Sequence, residues 1–86
     1  MSTVTLSQGC QVFAQGIRAL KQEIKAKEEQ IRRDEALIAK LESRPDPDPE
    51  VIAELRERIA RLEHELENTD RPQLIAFEEE FAASCR

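Results

Sequence analysis

The chain has 86 residues, of which 36% are charged and 3% aromatic, and its formal net charge is −5. This length allows one domain, and a single globular core would bury only about 60% of the unfolded surface. Charged and aliphatic residues with few aromatics are typical of coiled coils. No stretch approaches the roughly 20 apolar residues of a membrane span, and no apolar signal region begins the chain. We therefore expect a cytoplasmic protein without membrane contact.

The first predicted element is a long helix over residues 6–42. Its apolar side chains keep heptad spacing, and one heptad position holds Cys10, Ile17, Ile24, Ile31 and Ile38. The companion position holds Phe13, Leu20, Lys27, Asp34 and Leu41. A repeat of 3.5 residues predicts a seam for a left-handed coiled coil.

Prolines at positions 45, 47 and 49 exclude helix from the next segment, so residues 43–48 are predicted to form a turn. Asp48 is a good N-cap and Pro49 suits the first helical position, which predicts a second helix over residues 49–69. Its seam residues are spaced by three and four, and they are Ile52, Leu55, Ile59, Leu62 and Leu66.

The spacing slips near Pro72, where eight residues rather than seven separate Leu66 from Leu74. A proline at such a slip predicts a break or a kink. We expect a third helix over residues 72–85, with Thr69 or Asp70 as its N-cap.

The two arms have nearly equal length, so the chain is predicted to fold back on itself at the turn. Near the turn this pairs Leu41 with Ile52, Ile38 with Leu55 and Ile31 with Leu62. Beyond the slip the pairing shifts by one residue and joins Leu20 with Leu74, Ile17 with Phe77 and Phe13 with Phe81, and Cys10 then meets Cys85. The prediction is an all-α antiparallel coiled-coil hairpin, a single domain over residues 1–86, with its second arm broken or kinked near Pro72.

The charge is divided unevenly between the arms. Residues 1–44 carry eight Lys/Arg and six Asp/Glu, a net +2, whereas residues 45–86 carry five and twelve, a net −7. We expect the arms to pair with each other, and the lack of a basic face argues against nucleic-acid binding. Five Glu-before-base pairs at i,i+4 are expected to support the helices: Glu23–Lys27, Glu28–Arg32, Glu29–Arg33, Glu54–Arg58 and Glu57–Arg61.

Lys27 and Asp34 interrupt the apolar seam, and by register they face Leu66 and Ile59. Buried polar residues in a seam can fix alignment. We favour the alternative, a partly open seam with Lys27 extending to solvent.

The register places Cys10 beside Cys85 at the end opposite the turn, which we name the open end. Two interpretations remain: a disulfide closing a loop of about 75 residues, or reduced small apolar side chains in the seam. A metal site is disfavoured, because the chain has no Cys-x-x-Cys pattern.

The open end is more apolar than two helices need. We predict a partner or dimer interface there, formed by Val12, Phe13, Ile17, Leu74, Ile75, Phe77 and Phe81. Gly9 and Gly16, one heptad apart, would let another backbone approach closely. Docking of a second copy would complete a four-helix bundle.

No phosphate-binding glycine loop, nucleophile elbow or zinc-protease motif is present, so we expect no enzyme activity, no cofactor and no metal. The leading hypothesis is a protein–protein interaction module or small adaptor that forms a homo-oligomer. Two alternatives are an exported, secreted or periplasmic helical protein held by a Cys10–Cys85 disulfide, and a chaperone or regulator that clamps a helix.

Overall fold

The computed structural model describes the backbone of residues 2–85 and the side chains of residues 8–85. It contains helix α1 (Ser2–Glu42), helix α2 (Pro49–Glu65), a π-helical turn (Leu66–Asp70) and helix α3 (Arg71–Ser84). The last three form one arm that packs along α1 in a rod measuring 69 × 17 × 15 Å. The predicted all-α helical hairpin is thereby confirmed. Helix α1 begins at Ser2 rather than at the predicted residue 6.

The turn is defined by local hydrogen bonds and by its prolines. Helix α1 ends where the Ser43 hydroxyl donates to the carbonyl of Lys40 at 2.8 Å. A carboxylate oxygen of Asp48 accepts from the backbone N–H groups of Glu50 at 3.1 Å and Val51 at 3.4 Å. Asp48 is therefore the N-cap of α2, and it satisfies two N–H groups that the first helical turn leaves unpaired.

Buried apolar residues extend along the rod, with Leu20, Ile24 and Leu66 in its middle part and a cluster at the turn end. The cluster joins Ile38 and Leu41 of α1 to Ile52 and Leu55 of α2, with Ile59 packed against it. Full burial of each aliphatic side chain contributes about 1.5–3 kcal/mol. This end of the hairpin is therefore held by ordinary hydrophobic packing.

The π-helical turn replaces the predicted break in the second arm. The N–H of Arg71 donates to the carbonyl of Leu66, five residues back, so the helix widens and absorbs one extra residue before Pro72. A proline inside an α-helix clashes with the carbonyl four residues before it, and widening relieves that clash. Asp70 keeps helical dihedral angles and makes no capping hydrogen bond, and Thr69 lies inside the π-helical turn, so the prediction that one of them caps a new helix is wrong.

The ion pairs among the described side chains all cross between the arms. They are Lys21–Glu78, Lys27–Glu65, Lys27–Asp70, Glu42–Arg56, Asp34–Arg58 and Glu28–Arg71. None of the five predicted pairs within a helix is formed in this part of the chain. Some of these pairs have the cation on α1 and others have it on the second arm. The difference in net charge between the two halves therefore does not decide which arm supplies the cation.

Candidate interaction site

Asp34 is the most deeply buried polar side chain in the middle of the rod, with 2% of its surface exposed. Arg58 donates to both of its carboxylate oxygens, and Gln30 donates a third hydrogen bond at 2.8 Å. The hydrogen bonds from Arg58 lower the pKa of Asp34 from its ordinary value, against the opposing effect of burial. Asp34 in turn raises the pKa of Arg58.

Lys27 forms a second buried ion pair one heptad away. Its Nζ lies 2.6 Å from a carboxylate oxygen of Asp70, which is 4% exposed, and 3.3 Å from Glu65. The hydrogen bond to Asp70 is the main reason that the pKa of Lys27 is raised, and Glu65 adds to it. The expectation of a partly open seam is wrong, because these charges are paired between the arms.

Sequence reasoning missed Arg58 and Asp70 as partners of the two seam charges. Arg58 precedes Ile59, the residue predicted to face Asp34, and long side chains reach beyond their own position. Asp70 was detectable, since the eight-residue interval after Leu66 moves the next seam position from 69 to 70. An acid then stands on the seam near Lys27.

A disulfide bond joins Cys10 of α1 to Cys85, the residue that follows α3, with the two Cα atoms 5.7 Å apart. Both cysteines are half-buried. The N–H of Cys85 donates to the carbonyl of Phe81 at 2.8 Å, which continues the helical hydrogen bonding to the end of the arm. The bond therefore ties the two arms at the open end.

An apolar groove lies on the surface beside this bond. It has a volume of about 470 Å³ and is lined by Gly9, Val12, Phe13, Gly16 and Phe77. We name it the open-end groove. The rings of Phe13 and Phe77 meet edge to face with centroids 6.2 Å apart, and Val12 is 67% exposed. The register predicted Phe81 opposite Phe13, so the contact with Phe77 lies one helical turn away from the predicted one.

The four remaining predicted interface residues lie outside the open-end groove. Ile17 and Phe81 line a second groove of about 390 Å³ with Ala14, Arg18, Lys21, Glu78 and Ala82. Leu74 is half-buried, and Ile75 is 55% exposed and lines neither groove. The open-end groove thus brings together only three of the seven: Val12, Phe13 and Phe77.

Comparison of the chain with protein families, characterised proteins and solved structures finds no match. Within the described residues, no helix combines the length and hydrophobicity that crossing a lipid bilayer requires. That same part of the chain contains no group of three His, Cys, Asp or Glu side chains placed to hold a metal ion.

Proposed function

We propose that this chain is a non-catalytic protein-interaction module that self-associates through its open end, with two hairpins forming a four-helix bundle. The observation that carries the proposal is the open-end groove. Its lining is apolar, and Val12 at its edge is 67% exposed. Apolar surfaces of this kind mark sites of protein contact.

Two glycines in the groove support docking of another backbone. Each glycine inside a helix costs about 0.8–1.0 kcal/mol relative to alanine. Among the described side chains, a Cβ atom on Gly9 would meet nothing within 4 Å, and one on Gly16 would touch Phe77 at an ordinary 3.9 Å. The hairpin therefore has room for larger residues at both positions. Packing within the hairpin does not require glycine at these positions, whereas close packing of another helix against this face would.

Surface area and charge favour a second copy as the occupant. The chain exposes 6557 Å², whereas a compact monomer of this mass exposes about 5,200 Å². The excess per chain is above the roughly 800 Å² that each partner buries in an interface of standard size. An uncharged groove can meet its own copy across a twofold axis without opposing like charges, although the chain as a whole carries −5.

The non-catalytic part of the proposal rests on the shifted ionisable groups. Perturbed pKa values often mark active sites. Here they belong to Lys27, Asp34 and Arg58, whose charges are engaged in hydrogen bonds between the arms. Their perturbation is accounted for by holding the hairpin together.

An exported helical protein is a second candidate, and the Cys10–Cys85 bond favours it. A disulfide that closes a loop of this length contributes about 4 kcal/mol in the chain-entropy account, and such bonds persist in oxidising compartments. This candidate concerns where the module acts and is compatible with self-association.

Self-association is tested by sedimentation equilibrium of the oxidised protein over a range of concentrations. We expect a dimer, and we expect Val12→Asp to raise its dissociation constant by about tenfold or more, because a carboxylate would be buried in an apolar interface. Gly9→Gln should also weaken the dimer by filling the groove, while it stabilises the hairpin through better helix propensity.

The matched control is Val51→Asp, which makes the same change at the turn end, where Val51 is 37% exposed. It should leave the dissociation constant unchanged. A wild-type protein that stays monomeric at all concentrations would overturn the proposal. So would equal weakening by Val12→Asp and Val51→Asp, since the effect would then not belong to the groove.

A further inference from the structure

We propose that the Cys10–Cys85 disulfide is a redox latch that keeps α3 on α1, so that only the oxidised hairpin presents a complete open-end groove. This inference rests on the proposed function, because it concerns the regulation of the same docking site. It is carried by the weak packing of α3, by the π-helical turn before it and by the position of the bond.

Helix α3 is held less firmly than α2. None of its residues is fully buried, and its apolar side chains at 74, 77 and 81 are half-buried, whereas α2 fully buries Ile52 and Leu55. Two ion pairs join it to α1, Lys21–Glu78 at 3.5 Å and Glu28–Arg71 at 3.0 Å, with about half of each side chain in solvent. Exposed pairs of this kind stabilise a fold by about 1 kcal/mol at most. The disulfide is thus a covalent link between α3 and α1 beside contacts that are only partly buried.

The π-helical turn supplies a boundary at which α3 can separate. Leu66 is 2% exposed, and Asp70 is fixed by Lys27, so the arm is anchored up to residue 70. The regular α-helical hydrogen bonding is interrupted in this turn, where Arg71 reaches back to Leu66. Release of α3 beyond this anchor leaves the core at the turn end intact.

The groove depends on α3 through one residue. Four of its lining residues lie on α1, and the fifth, Phe77, lies on α3. Departure of α3 removes Phe77 from Phe13 and takes away one wall of the groove. The docking surface is thus complete only while the two helices are held together.

The chemical step is ordinary thiol–disulfide exchange with a dithiol as reductant. A thiolate of the dithiol attacks one sulfur of the bond, which forms a mixed disulfide and releases the other cysteine as a thiolate. The second thiol of the dithiol then displaces the remaining cysteine. Two electrons and two protons pass to Cys10 and Cys85, and the reductant leaves as its own disulfide.

The test combines hydrogen exchange with sedimentation equilibrium, on wild-type protein in the oxidised state and after reduction with dithiothreitol. We expect exchange in residues 71–84 to accelerate by about tenfold or more on reduction, as for segments that open locally, while residues 49–65 are unchanged. We expect the dimer dissociation constant to rise by about tenfold in parallel.

The double variant Cys10→Ser, Cys85→Ser should behave like reduced protein and ignore dithiothreitol, which separates the latch from other effects of the reductant. Unchanged exchange in residues 71–84 would overturn the latch, even if the protein dimerises. Faster exchange with an unaltered dimer would also overturn it. Absence of a dimer in both states would instead overturn the proposed function, whatever the exchange shows.

Discussion

Arg58 holds the carboxylate of Asp34 through two hydrogen bonds, from Nε at 2.7 Å and from Nη2 at 2.6 Å. Replacing a buried ion pair by apolar side chains is often neutral or stabilising by about 1–4 kcal/mol. Asp34→Leu restores the apolar seam and leaves the half-exposed Arg58 free to turn toward water. We therefore expect a urea midpoint equal to or higher than that of wild type, measured by circular dichroism at 222 nm.

The reverse change, Arg58→Met, tests the asymmetry of the pair. It leaves the carboxylate of Asp34, which is 2% exposed, without its cationic partner. Removing one member of a buried pair is strongly destabilising. The urea midpoint should fall well below that of wild type, and a midpoint equal to or above that of wild type would contradict this account.

Asp34 and Lys27, two of the three groups whose pKa is shifted, predict that stability is level at intermediate pH and falls in acid and in alkali. The pKa of Asp34 is lower in the folded protein than its ordinary 3.8, so its contribution is present above that value and is lost as pH falls through the folded pKa. The pKa of Lys27 is raised above 10.5, so its contribution is present below that value and is lost as pH rises further.

Urea midpoints measured from acid to alkaline pH check the loss of stability at both ends of the pH range. Other carboxylates also titrate in acid, so the difference between wild type and Asp34→Leu is the useful quantity. We expect Asp34→Leu to lose less stability than wild type as pH falls below 3.8 and through the folded pKa of Asp34. If the midpoints of wild type and Asp34→Leu fell equally in acid, Asp34 would not contribute to the pH dependence.

Lys27 and Asp70 should be energetically coupled. Lys27→Leu leaves the buried carboxylate of Asp70 without its closest partner, which costs about 1–3 kcal/mol or more. Asp70→Leu added to Lys27→Leu should recover most of that loss, because neither charge then remains buried. A double-mutant cycle of urea unfolding measures the coupling. Additive effects would mean that the 2.6 Å contact contributes nothing to stability.

The hairpin follows from local rules that the sequence displays directly. Heptad spacing identifies the face of each helix that is buried, and the prolines at 45, 47 and 49 fix the place of the turn. The core at the turn end, with Ile38 and Leu55 in one cluster, is what such a register dictates. Periodicity succeeds here because apolar burial depends on position more than on detailed geometry.

The polar contacts were not predictable to the same degree. Exposed i,i+4 pairs contribute only about 0.2–0.5 kcal/mol, so Lys27, Glu28 and Arg58 pair across the arms instead. The open-end contact of Phe13 with Phe77 also escaped the register. The extra residue near 66–70 shifts the second arm, and ring packing selects among neighbouring turns. Both the ion pairs and the ring contact depend on which of several neighbouring residues packs best in three dimensions, and the spacing of residues along the chain does not show this.

The Asp48 cap predicts a simple stability effect. Asp48→Ala removes the acceptor for the N–H groups of Glu50 and Val51 and should lower the free energy of unfolding by about 1 kcal/mol. Asp46→Ala, two residues earlier in the turn, is the matched control and should change it little. Thermal unfolding followed by circular dichroism distinguishes them, and equal effects would point to the charge of the turn rather than to the cap.

The π-helical turn absorbs one residue, so removing one residue there should be tolerated. Deletion of Thr69 combined with Pro72→Ala shortens the Leu66–Leu74 interval from eight residues to seven, which a continuous α-helix accommodates. Asp70 then stands three residues after Leu66 and stays on the seam beside Lys27. We expect a cooperative unfolding transition with a midpoint no lower than that of wild type.

Deletion of Ala60 is the control, because it removes one residue where the helix is regular. Side chains beyond it rotate by about 100° around the helix axis, which moves Leu62 and Leu66 off the seam. The anchor of the second arm is lost, so the midpoint should fall sharply. If both deletions were tolerated equally, the seam would not be setting the register. If both deletions lowered the midpoint equally, the π-helical turn at 66–70 would contribute to stability and would not merely accommodate an extra residue.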